Sequence, residues 1–247
     1  KVFERTFGNP SDFTFIVVGD FSLEEMKRLA IEYVGSIPVK EIEPLSFFKI
    51  PMLFPNVSTQ TKFKLGSLPH CETVISIPFD LDGALAHFGS NCYVHAAQVV
   101  FEQRLIEVLR KKMGGTYHVG VSIDSLLVPS YEHSMLRIAF SSPQAEIDKM
   151  VQGVFSEIAQ MKEFIPEEEE AATVRELFRA NQKMSEQSNS YWISMIHASE
   201  LFDVPLNKVL NFEERISSIT PEVIHEAAQY LFMSPYYTIL SHVPEIE

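Results

Sequence analysis

Cysteine is nearly absent: Cys71 and Cys92 are the only two in 247 residues. They stand in different predicted elements and form no C-x-x-C pair, which argues against a disulfide framework or a thiolate zinc site and leaves them as small buried apolar residues. Basic residues are outnumbered, 20 against 33 acidic, and the formal charge of −13 disfavours a phosphate-binding surface, so nucleic acid is not an expected partner. No apolar run approaches the roughly 18 residues that a membrane-spanning helix needs, and the N-terminus carries no signal-peptide pattern. The first residue is Lys1 and not Met, which reads as a fragment or processed product and leaves the compartment of the parent protein open. What is present is an ordinary globular mixture, 46% hydrophobic and 21% charged, long enough for one large domain or for a domain plus a piece of another.

Phe13 to Val18 is a continuous β-branched and aromatic run, which predicts a strand buried on both faces. Gly19 ends it. Ser22 and Glu25 make a capping-box pattern, and Leu23, Met26, Leu29, Ala30, Tyr33 and Val34 share one helical face that Gly35 closes. Between residues 36 and 69 Pro38, Pro44, Pro51, Pro55 and Pro69 interrupt regular structure, which predicts an inter-domain linker packed down by Leu45, Phe47, Phe48 and Phe54.

Residues 70–247 read as a second, longer block. A strand at Thr73–Phe79 precedes a helix over Ala86–Met113 that Gly114 and Gly115 stop, and a hairpin follows from Tyr117–Val128 and Ser134–Ser141. Pro143 opens a helix with an apolar stripe at Ile147, Met150, Val151, Val154, Ile158 and Met161. Pro166 opens another. There Glu167 to Glu170 fill the first turn and Arg175, Arg179 and Lys183 come later, an order that complements the helix dipole and reads as capping and not as metal binding. A helix over Tyr191–Phe202, one from Thr220-Pro221 to Met233, and a strand at Tyr236–Val243 complete the chain.

One internal echo organises these pieces. Phe7-Gly-Asn-Pro10 before the first apolar run matches Phe232-Met-Ser-Pro235 before the last strand. Residues 1–35 then read as the strand-helix tail of a preceding copy of the domain that residues 70–247 repeat, with 36–69 as the linker.

A catalytic zinc site needs about three protein ligands, commonly two His and one carboxylate set on a helix face by spacing. Two near misses occur. His225-Glu226-Ala-Ala-Gln229 is H-E-x-x-H with Gln in place of the second His, and His197-Ala-Ser-Glu200-Leu201 is H-x-x-E-H with Leu in that place. Neither is expected to hold the ion, and His70, His87, His95, His118, His133 and His242 have no ligand spacing.

The most specific feature is Leu109-Arg110-Lys-Lys-Met-Gly-Gly-Thr-Tyr117-His-Val-Gly-Val121: an Arg at a helix end, a glycine turn, and a Tyr seven residues later opening a strand. This resembles the arginine-tyrosine element of insulinase/pitrilysin zinc metallopeptidases, in the half that lacks zinc. Phe7 to Phe21 and the helix after it are similar to the family's strand-helix unit before its linker, and the later element order agrees. The resemblance implies an α+β fold, a twisted mostly antiparallel sheet with helices packed on one face, as in processing-peptidase-like metallohydrolase domains. It also implies that Arg110 and Tyr117 contact the substrate carbonyl in an active site whose zinc lies in the parent's N-terminal half or in a partner subunit. This chain then binds peptide, holds no metal or other cofactor, and is inactive alone. A structural scaffold of the same family is the alternative.

Overall fold

A computed structural model describes residues 3, 7–10, 13–39, 56–64, 70–114, 116, 118–125, 134–202 and 211–245. The chain divides into two compact units, one of Lys1–Phe48 with Ala180–Phe212, the other of Lys49–Arg179 with Glu213–Glu247. Among the described residues no helix is long and apolar enough to cross a membrane.

The larger unit is α+β. Among the described residues its five strands, β1 (Thr59–Lys64), β2 (Cys71–Phe79), β3 (Val119–Ser125), β4 (Ser134–Ser142) and β5 (Thr238–Val243), lie in the order β1-β5-β2-β4-β3. All neighbours are antiparallel except β1 with β5, which run parallel. Alternation decides the faces. Cys71, Thr73, Ile75, Ile77 and Phe79 of β2 are buried, as are Leu136, Ile138 and Phe140 of β4 and Ile239 and Val243 of β5. The other face carries Val74, Ser76, Arg137, Leu240 and His242 and stays partly open.

Helices of this unit cover the buried face. In chain order the helices are α1 (Leu23–Leu29), α2 (Leu81–Phe88), α3 (Cys92–Leu105), α4 (Ile147–Glu163), α5 (Glu168–Ser185), α6 (Asn189–Phe202), α7 (Phe212–Ser217) and α8 (Pro221–Leu231), of which α1 and α6 belong to the smaller unit. The stripe anticipated for α4 is buried at all six positions. Thr220 caps α8, its hydroxyl accepting the Val223 N–H at 3.3 Å, with Pro221 placed where a helix lacks a donor need. Phe101 of α3 packs edge-on against Phe232 with ring centroids 4.9 Å apart, both at the centre of the core.

Three expectations need correction. The helix placed at Ala86–Met113 is two helices, because Gly89 takes the left-handed conformation (φ 68°) that ends α2, and Ser90 then accepts the Cys92 N–H at 3.2 Å to start α3. The stretch read as linker contains β1, whose sequence Thr-Gln-Thr-Lys-Phe-Lys lacks an apolar face because it forms an exposed sheet edge. Phe13 to Val18 carries no strand pairing, and Phe13, Phe15 and Val17 are 36%, 54% and 52% exposed. A strand buried on both faces needs neighbours, and none of the described residues supplies them.

The smaller unit holds α1 and α6. The Ser22 hydroxyl caps α1, accepting the Glu25 N–H at 3.4 Å, but the predicted apolar stripe is only half covered among the described residues: Met26, Leu29 and Val34 are partly buried, whereas Leu23 and Tyr33 are 77% and 65% exposed. The end of α5 is tied to α6 by Gln182, which donates to Tyr191 Oη at 2.6 Å, and by Trp192, whose indole N–H donates to the Glu186 carbonyl at 2.9 Å.

Candidate functional site

After Leu105 the α3 helix widens into a π-helical stretch, Ile106–Lys112, closed by Met113 N–H donating to the Val108 carbonyl at 3.0 Å. Leu109 is fully buried, so the next residue, Arg110, is turned outward and exposed, at the end of the helix with Lys111 and Lys112. Lys111 is paired with Glu107 at 2.8 Å. Among the described residues Arg110 has no ion-pair partner. The helix end is held from below by Gly153 of α4, where an added Cβ would lie 3.0 Å from Leu109 Cδ2 and 3.2 Å from the Met113 sulfur.

Gly114, left-handed at φ 68°, reverses the chain toward β3. Tyr117 lies outside the described residues. Thr116 is buried, and its hydroxyl donates to the His118 carbonyl at 2.7 Å and accepts the His118 N–H at 3.2 Å, a bracket of two bonds between Thr116 and His118. Ser141 N–H then donates to the His118 carbonyl at 3.2 Å, which pins this bracket to β4. His118 is exposed and borders a cleft of about 430 Å³ on the open sheet face, together with His70, Glu72, Val74 and Ala139. Arg110 thus stands exposed at its helix end, and His118, where the chain enters β3, borders a cleft with imidazole and carboxylate in its wall.

The near-miss zinc patterns are engaged otherwise. Glu226 bonds His87 Nε2 at 2.7 Å, and Gln229 donates to the Lys162 carbonyl at 2.9 Å while its amide nitrogen lies 3.3 Å from His225 Nε2. His197 and Glu200 are exposed on α6. Among the described residues no group of three or more His, Cys, Asp or Glu side chains is placed to hold a metal ion. Neither cysteine is a nucleophile candidate: both are free and buried, and burial pushes the Cys92 thiol up to about 11 and raises Cys71 as well.

Two further features are not apparent from the sequence. Arg104, on the turn of α3 before the site, grips Glu170 of α5 through two bonds of 2.6 and 2.7 Å and lies 3.7 Å from Glu157 of α4. Gln98 and Glu102 of the same helix bond the backbone of Val121 in β3. The one signal they leave in the sequence is their polarity in a helix whose neighbours Val94, Ala97, Phe101 and Leu105 are buried.

Comparison with known proteins identifies the family and the fold. Residues 3–177 match the sequence profile of the peptidase M16 inactive domain. A zinc protease PQQL-like protein of Arabidopsis thaliana is 23% identical over 267 residues, covering 99% of this chain and 28% of that protein. The periplasmic protease PqqL of Escherichia coli superimposes with a TM-score of 0.78 at 17% identity, covering 98% of this chain and 26% of that one. A peptidase M16 inactive domain from Pseudomonas fluorescens superimposes at 0.68 with 18% identity, over 93% of this chain and 53% of its own. The chain therefore spans about a quarter of the length of the first two relatives.

Proposed function

The chain belongs to the insulinase/pitrilysin metallopeptidases as a peptidase M16 inactive domain, and from that premise we propose that it is the zinc-free, C-terminal part of a zinc metalloendopeptidase. In this reading it binds peptide substrate, and Arg110 and Tyr117 contact the scissile carbonyl in an active site whose zinc is held by another domain of the parent chain or by a partner subunit. What supports the reading is Arg110, exposed at a helix end with no ion-pair partner among the described residues, four residues before the left-handed Gly114 that leads the chain toward β3.

The chemistry asked of the pair is modest and specific. When zinc polarises a carbonyl, negative charge grows on its oxygen, and a guanidinium and a phenol held in place can donate to it without reorganising at the moment of reaction. Residues 1–35 serve in the same reading as the tail of a preceding domain, 36–69 as the connection, and 70–247 as the inactive domain proper.

The test uses the full parent enzyme with a fluorogenic peptide. Arg110→Ala and Tyr117→Phe are each expected to lower kcat/KM by about 10²- to 10³-fold, the usual effect of losing one oxyanion donor, with zinc content unchanged. Unchanged turnover in both variants removes the catalytic role. A parent that lacks a zinc-ligating half altogether supports the scaffold reading in its place.

A further inference from the structure

Among the described residues β3 is an outer edge of the sheet, and its middle is already occupied. Ser141 N–H donating to the His118 carbonyl sets the parity of the β3–β4 ladder. By alternation Gly120 and Ser122 turn their backbone groups toward β4, while Val119, Val121 and Ile123 turn theirs outward. Val121 is the central member of that outward set, and α3 takes both of its groups. Its N–H donates to Glu102 Oε1 at 3.1 Å, and its carbonyl accepts from Gln98 Nε2 at 2.8 Å. Residues four apart lie one helical turn from each other on the same face, so this spacing presents one acceptor and one donor to a single strand residue, as a neighbouring strand would. The two side chains approach each other at 3.5 Å, and His95, one turn earlier, hydrogen-bonds Gln98.

Edge strands with free outward groups are templates for another extended chain, and native sheets block them by covering or twisting the edge. We propose that Gln98 and Glu102 form a two-residue plug that shuts β3 to strand addition, so that a second copy of this chain cannot extend the sheet through it. The opposite edge, β1, is defended differently, by Lys62 and Lys64 and by its short length. This inference does not depend on the peptidase reading, since it concerns the backbone of Val121 and not Arg110 or Tyr117.

The plug is tested on the full chain by amide exchange and sedimentation velocity. In the wild type the Val121 amide is expected to be protected beyond Val119 and Ile123. Glu102→Ala lowers that protection by about tenfold or more, whereas Glu102→Gln, whose amide oxygen still accepts, retains it. The double variant Gln98→Ala/Glu102→Ala is expected to self-associate. Ile138 reports folding throughout, because its backbone groups face β2. Equal Val121 protection in wild type and Glu102→Ala overturns the proposal, as does a double variant that stays folded and monomeric. Should the double variant lose Ile138 protection, the ratio of Val121 to Ile138 exchange in Glu102→Ala decides.

Discussion

His95 sits half-buried in α3, one turn before the helix meets β3, and burial holds its imidazole below the usual 6.5, with a hydrogen bond to Gln98 opposing part of that effect. A histidine whose folded value is lowered stays neutral in the fold where the unfolded chain already binds a proton. Its contribution is therefore complete above 6.5 and is lost as pH falls toward the lower folded value. Urea unfolding between about pH 8 and about pH 5 should show stability falling with pH, and His95→Gln should flatten that fall across the window. An identical slope in wild type and variant assigns the acid sensitivity to other groups.

At the scale of elements, the Arg104 triad ties three helices. Arg104 hydrogen-bonds Glu170, whose carboxylate also accepts the Glu167 N–H at 2.9 Å and so caps α5 while it pairs. That bonding holds the Glu170 carboxyl below its usual range, and burial pushes Glu157 the other way despite Arg104 at 3.7 Å. Glu170→Ala removes the cap and the strong pair together and is expected to cost about 2 to 3 kcal/mol at neutral pH, read from the urea midpoint. Because the carboxyl is lowered, the loss should shrink as pH falls below 4.5. A change under about 0.5 kcal/mol would mean that solvent already screens the triad. The capping role of the glutamate run was legible from its place in the first turn, but the partner Arg104 was not, since sequence spacing carries no information on which helices meet. The same distinction runs through the fold. Strands β2, β4 and β5 and helix α4 were readable because burial imposes a period of two or of 3.6 on their apolar residues. Strand β1 was not, because a sheet edge in solvent leaves no such imprint on Thr59–Lys64. In the site, Arg110 could be found by its position at a helix end, whereas the Thr116 bracket and the Gln98–Glu102 contact to Val121 need the tertiary approach of α3 to β3 and β4.

Among the described residues, a run of aromatic side chains near the start of the chain stays exposed. Phe3, Phe7, Phe13 and Phe15 touch in series, with ring centroids 5.1, 6.2 and 6.2 Å apart, and yet are 73%, 55%, 36% and 54% exposed. Contiguous exposed aromatics of this kind mark interaction surfaces more often than accidents. On the proposal that residues 1–35 are the tail of a preceding copy of the domain, the echo between residues 7–18 and 232–243 gives this surface a counterpart in that copy. In the larger unit the equivalent strand, β5, lies between β1 in parallel and β2 antiparallel. The Phe13–Val18 run has the composition for the same place in a second sheet, and relatives about four times as long have room for one. Replacing Phe13 and Phe15 by Ser and Val17 by Thr should then leave the stability of this chain within about 0.5 kcal/mol of wild type, as surface changes do. In a parent that includes the preceding domain the same three changes should cost several kcal/mol, about 3 to 5 for each buried Phe truncated, and lower its melting temperature. A loss above about 1 kcal/mol in this chain alone would show the run already buried in solution, and no loss in the parent would leave it without a sheet to complete.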